Sequence, residues 1–139
     1  MRRSDIREFV VDALGGVDAT VYNGRGPAVA GNKLPFIVVY IRDERVETVT
    51  LSGAQQRTAE LIVEYIGEGS SDEIEDLVDE TAEDIATILT LNPTMGGLVQ
   101  GTFLTSTELS VLLDGETKSA KPTGMAQLKF NVHYRKDSQ

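Results

Sequence analysis

Apolar residues along the chain follow two periods. Over residues 4–14, Ile6, Phe9, Val10, Ala13 and Leu14 recur at i, i+3, i+4, i+7 and i+8, the spacing of one helix face. Ser4 is placed to cap the first turn, Asp5 suits the positive end of the helix dipole, and Gly15-Gly16 offers a left-handed exit. A longer helix is predicted over residues 70–91, with Ile74, Leu77, Val78, Thr81, Ile85, Ile88 and Leu89 on its inner stripe. Ser70 and Glu73 fit a capping box at its start, and Asn92-Pro93 ends it. Elsewhere the period is two, or the run is continuously apolar. Short strands are predicted over residues 19–22, stopped by Asn23-Gly24, and over 34–41, whose unbroken apolar character implies burial on both faces. Further strands are predicted over 58–66, 102–112 and 125–135. In the last, Ala126, Leu128, Phe130, Val132 and Tyr134 point inward, while Gln127, Lys129, Asn131, His133 and Arg135 point outward. The polar segment 42–57 reads as another strand or an extended loop. The order α-β-loop-β-β-β-α-β-β implies one α+β domain over residues 1–139, with a mixed, mostly antiparallel sheet packed against two main helices.

Composition narrows the class. A chain of 139 residues can bury a core without a covalent staple, and 40% hydrophobic with 25% charged residues is the balance of a folded, soluble domain. There is no cysteine, which removes disulfides, thiol catalysis and thiolate zinc sites. The longest apolar run, residues 36–41, is too short to cross a bilayer as a helix, so no membrane association is expected. Met1-Arg2-Arg3-Ser4-Asp5 carries positive charge without a following apolar block, so no secretory leader is expected and the cytoplasm is the default.

The net charge of −9 is unevenly spread. No Lys or Arg occurs between Arg57 and Lys118, a stretch that holds fourteen of the 22 acids. An acidic middle argues against wrapping nucleic acid, which needs a basic stripe. The long helix carries Asp72, Glu73, Glu75, Asp76, Asp79, Glu80, Glu83 and Asp84. Its five like-charge i,i+4 pairs together oppose folding by about 1–2 kcal/mol, screened by salt. The acidic face Asp72, Glu75, Asp76, Asp79, Glu80 and Glu83 is either a solvated surface, a face that meets a basic partner, or one that repels DNA. Basic side chains that could meet a neighbour are Arg42 and Arg45 in one polar segment and Lys118 and Lys121 in another.

Candidate chemistry is sparse. Gly26-x-x-x-x-Gly31-Asn32-Lys33 approaches a phosphate-binding loop, but its Lys is one place late, Leu34 stands where a magnesium-binding hydroxyl belongs, and a β-branched strand follows instead of a helix. It reads as a connecting loop, and no cofactor is expected. His133 is the only histidine and lies on the outward side of its strand, so no metal site is assigned. No G-x-S-x-G elbow is present. No catalytic residue is assigned, and an enzyme is not expected.

Three segments carry a family resemblance. They are Ile6-Arg7-Glu8-Phe9-Val10-Val11-Asp12-Ala13-Leu14, then Val21-Tyr22-Asn23-Gly24-Arg25-Gly26-Pro27-Ala28-Val29, then Leu34-Pro35-Phe36-Ile37-Val38-Val39-Tyr40. With Ala59 to Tyr65, the acidic helix after it and the closing strand Ala126 to Tyr134, they make the chain similar to the tail terminators of long-tailed bacteriophages, the minor tail protein U family of phage lambda. The likeness runs through nearly the whole chain, and departs from the family's pattern in the loops at 96–101 and 114–124. The resemblance implies a structural virion protein that forms a hexameric ring on the head-proximal end of the tail tube. Such a ring ends tube polymerisation and presents a joining surface to the head-tail connector protein. Its partners would be further copies of itself, the tube protein and the connector, with DNA passing through the hole unbound. Two other readings stay open at this point: a neck or head-completion protein, and an acidic DNA-mimicking inhibitor.

Overall fold

The computed structural model of the chain describes residues 2–26, 34–51, 53–112 and 122–136. In chain order its elements are α1 (Arg3–Ala13), β1 (Thr20–Asn23), β2 (Phe36–Thr48), β3 (Gln55–Glu68), α2 (Ile74–Thr90), β4 (Gly101–Leu112) and β5 (Thr123–Lys136). The strands form one sheet in the order β1-β2-β3-β5-β4. β1 runs parallel to β2, and residues 24–35 between them give the chain the length to return. All other neighbours are antiparallel. β3 and β4 therefore point the same way with β5 inserted between them, and α2 makes the crossover. The α+β class and the mixed, mostly antiparallel sheet with two helices hold.

The centre of the sheet is the β3–β5 ladder, unbroken from Gln55 opposite Lys136 to Glu68 opposite Thr123. Because side chains alternate across a strand, one face collects Ala59, Leu61, Val63 and Tyr65 with Ala126, Leu128, Phe130, Val132 and Tyr134, all buried. Both helices pack on this face. α1 contributes Ile6 and Val10; α2 contributes Ile74, Val78, Ala82, Ile85 and Leu89. Phe9, Leu77 and Ile88 are partly buried against the same core. β2 is buried on both faces, as its apolar run predicts: Ile37 and Val39 join the main core, while Val38 and Tyr40 meet Ile62 in a small cluster on the other face.

Three local expectations change. Segment 42–57 is neither a separate strand nor a loop: it is the far half of β2, a turn, and the start of β3. Ser70 starts the long helix with its carbonyl, which accepts from the Glu73 and Ile74 amides at 3.1 and 2.9 Å; no side-chain cap is made, and the α-helix begins at Ile74. At α1 the cap comes from Asp5, whose Oδ2 accepts from the Arg2 amide at 2.7 Å, and the exit is a 3-10 turn over Leu14–Gly16 instead of a left-handed glycine. The left-handed glycine sits one element later, at Gly24 (φ 92°), where the chain turns out of β1.

α2 lies directly on β5 at Gly124. A Cβ built there would stand 2.3 Å from Val78 Cγ2 and 3.0 Å from Ile74 Cγ1. Gly124→Ala should therefore push α2 off the sheet and destabilise by about 1–3 kcal/mol. Ile85→Ala, which empties a fully buried site, should lower stability by about 2–5 kcal/mol. Urea midpoints of both variants test this docking; two unchanged midpoints would place α2 elsewhere.

Candidate functional site

The register of β2 slips between Ile41 and Glu44, and the slip turns Glu44 onto the helix-covered face opposite Ala59. Its side chain is only 9% exposed. Oε1 accepts from Arg57 Nη1 at 3.0 Å and Arg3 Nη1 at 3.2 Å, and Oε2 accepts from the Tyr134 hydroxyl. Arg57 also donates through Nε and Nη2 to Gln55 Oε1 at 3.0 and 2.6 Å. Burial, then the Glu44 acceptor, pushes the Tyr134 phenol above its ordinary pKa, so it stays a donor. A desolvated carboxylate with three donors ties the far half of β2 to α1, β3 and β5. Its atoms are saturated by the fold, which is a structural role.

The opposite face carries a second network. The Tyr40 hydroxyl donates to Glu64 Oε1 at 2.5 Å, and Gln127 Nε2 donates to the same oxygen at 2.7 Å. The Arg25 guanidinium lies 4.3 Å from the Tyr40 ring centroid, a cation–π contact. Burial, with the bond to Glu64 and its charge, pushes the Tyr40 phenol up to about 12. Further along, Thr58 Oγ1 and His133 Nδ1 are 3.1 Å apart. A hydroxyl beside an imidazole is two-thirds of a nucleophilic triad. The third group is missing among the described residues, because the ring's other contact is Phe103, edge-on at 5.4 Å. No group of three or more His, Asp or Glu among the described residues could hold a metal ion.

The residues singled out from the sequence are not brought together. Glu75, Asp76, Asp79, Glu80 and Glu83 are exposed along α2, and Asp72 is exposed in the turn before it. None forms an ion pair among the described residues. Arg42 and Arg45 lie in β2. Arg42 pairs with Glu60 and, at 3.6 Å, with Asp43, so its charge is already met. Arg45 has no such partner among the described residues. It lines a shallow groove of about 460 Å³ on the open face with Val46, Glu47, Gln56, Thr58, Asn131 and His133. Lys118, Lys121 and the Gly-rich loop from Pro27 to Lys33 lie outside the described residues; the segment after that loop is strand β2.

Sequence reasoning missed an apolar edge. β4 is an outer strand of the sheet, and Phe103 (56%), Leu104, Leu109 (49%) and Leu112 (72%) are exposed on it. The signal was present: Thr102 to Leu112 lacks the alternation of β5 and places apolar residues on both faces. At the end of β2 Val46, and in the turn after it Val49 and Leu51, are exposed as well. A groove of about 340 Å³ between α2 and β4 is lined by Glu75, Val78, Asp79, Leu109, Ser110 and Val111. Apolar edges and charged faces are therefore what the fold leaves exposed among the described residues.

A family model described as phage minor tail protein U matches residues 1–134 of the 139-residue chain. A search of curated proteins gave no match.

Two measurements test the electrostatics. Of the five like-charge pairs expected on α2, the pair 72–76 falls away because Asp72 precedes the helix. Asp79→Gln with Glu80→Gln breaks the other four and spares the first-turn acids that favour the dipole. Stability at low salt should rise by about 1 kcal/mol and the gain should shrink at high salt; a loss would mean these acids are already paired. Tyr40 holds its proton to about pH 12, whereas an unfolded tyrosine releases it near pH 10.0. Its contribution to stability is complete below pH 10 and is lost as the pH rises towards 12. Tyr40→Phe should flatten that alkaline fall and remove one phenol from the late-titrating set. An unchanged number of late-titrating phenols would contradict the assignment.

Proposed function

The chain belongs to the phage minor tail protein U family, and from that premise we propose that it is the tail terminator: a ring that caps the head-proximal end of the tail tube, stops subunit addition and offers the surface to which the head-tail connector binds. A structural role in the phage tail is what the family carries. The single observation behind the finer reading is the extent of the match, which runs over residues 1–134 of 139. The surface agrees with it. Glu44, Arg57 and Tyr134 are consumed in holding the fold, and the features left unmet among the described residues are an apolar edge, an apolar turn and the acidic helix face. These are docking features, and the proposed role is non-enzymatic.

The acidic face of α2 has a use in such a ring. Lined by carboxylates, a passage lets a polyanion slide without sticking. The ring is homo-hexameric in this reading. Lys118 and Lys121 supply positive charge for a contact with the tube protein or the connector, and Arg45 supplies it on the sheet. A neck or head-completion protein would share the ring but bind portal-bearing heads. The decisive experiment is electron microscopy of the protein mixed with bare tail tubes and, separately, with heads lacking tails. Rings at one end of each tube, together with tube lengths that no longer grow when tube protein is added, are expected. Binding to heads and not to tubes would replace the terminator reading with the neck reading.

A further inference from the structure

β4 is twelve residues long and lies at the outer edge of the sheet, so its outward backbone N–H and C=O groups have no strand partner among the described residues. A long apolar edge of this kind is an aggregation hazard unless it is charged, bent away or covered. β4 carries no Lys or Arg, and Leu109 and Leu112 stand exposed on it. A second edge exists on the far side of the molecule. β1 pairs with β2 only from Phe36 to Val39, which leaves the outward side of Glu44 to Thr48 without a strand partner among the described residues. That edge leads into the turn with Val46, Val49 and Leu51 exposed.

The two surfaces differ in charge as well as position. The groove beside β4 is lined by Glu75 and Asp79 from α2 and by Leu109 from β4. The hairpin end presents Arg45 with Glu47 beside it, and the last residues of β5, Arg135 and Lys136, stand opposite Gln56 and Gln55. We propose that the β2–β3 hairpin end of one copy docks on the β4 edge of a second copy, with Arg45 against Glu75 and Asp79 and Val49 and Leu51 against Leu109 on the α2 side, and Val46, which points to the other side of its strand, against Leu112 on the open side. The occupant is another copy of this chain because the same molecule carries both halves: apolar side chains on each, and Arg45 on one to meet the Glu75 and Asp79 carboxylates on the other. Since the halves are different patches, the contact is head-to-tail, and repetition closes a ring when the rotation allows it. The same contact covers both unpaired strand edges at once. It deepens the terminator reading by naming the subunit contact, and it rests on that reading for the ring itself.

The chain has no cysteine, so a disulfide can be introduced without background. Val49→Cys and Leu109→Cys replace exposed side chains and leave the core intact. In the full chain carrying both, oxidation should give a ladder of covalent multimers on a non-reducing gel, and each single variant should not. A short bis-maleimide reads the same proximity if the two sulfurs do not meet at bonding distance. Light scattering on the wild-type protein, alone and with tube ends, is run in parallel. Rings that form without any cross-link from the double variant by either chemistry overturn the proposed contact and leave the terminator reading standing. A wild-type protein that forms no ring alone or on tubes overturns the ring reading itself. In a second arm, Arg45→Glu should abolish ring formation and Asp79→Arg added to it should restore it; rings in Arg45→Glu that match the wild type count against the contact.

Discussion

Both helices of this protein lie on one face of a five-stranded sheet, and that asymmetry governs the rest. The β3–β5 ladder supplies nine buried side chains to the covered face, and α1 and α2 together are just broad enough to seal it over β2, β3 and β5. What they do not reach is left for the solvent or for a neighbour. β4 sits at the margin of α2, close enough for Val111 to touch the core and too far for Leu109 to be covered, while Leu112 points to the open face. The far half of β2 runs out beyond β1, past the last residue that pairs with it.

Charge is disposed around the same asymmetry. A hairpin that leaves the cover of the helices would be weakly held by apolar packing alone. The β2 slip places Glu44 where Arg3, Arg57 and Tyr134 converge, so the hairpin is fixed by charge-assisted hydrogen bonds instead. Arg42 and Glu60 neutralise each other on the opposite face. The acids of α2 form no ion pair among the described residues, and water screens their mutual repulsion. A fold that pairs Glu44 so fully, while leaving one acidic helix face and two strand edges unmet among the described residues, fits the proposed role in assembly.

Much of this was written in the sequence. The inward set of β5 and the inner stripe of α2 follow from periods of 2 and 3.6, because burial on one side imposes those periods on any chain. The long reach of β2 and β3 was hidden, since residues 42–57 are polar on both faces and a solvated hairpin leaves no apolar period to read. The caps were misplaced because Ser70 acts through its carbonyl and Asp5 through its side chain, and residue type does not distinguish these uses. Arg42 and Arg45 looked equivalent in sequence. Only cross-strand register, which sets Arg42 near Glu60 and leaves Arg45 open, separates them. The edge position of β4 is a property of strand order, and strand order is set by α2 crossing over β5, a long-range outcome with no local signature.

The central claim is that assembly completes the two edges this fold leaves open. Backbone hydrogen exchange, compared between dilute monomer and assembled ring, reads it directly. The account predicts that β3 and β5 amides are protected in both states, and that new protection on assembly concentrates in residues 43–51 and 101–112. Protection that appears elsewhere while both segments exchange as freely as in the monomer would contradict it.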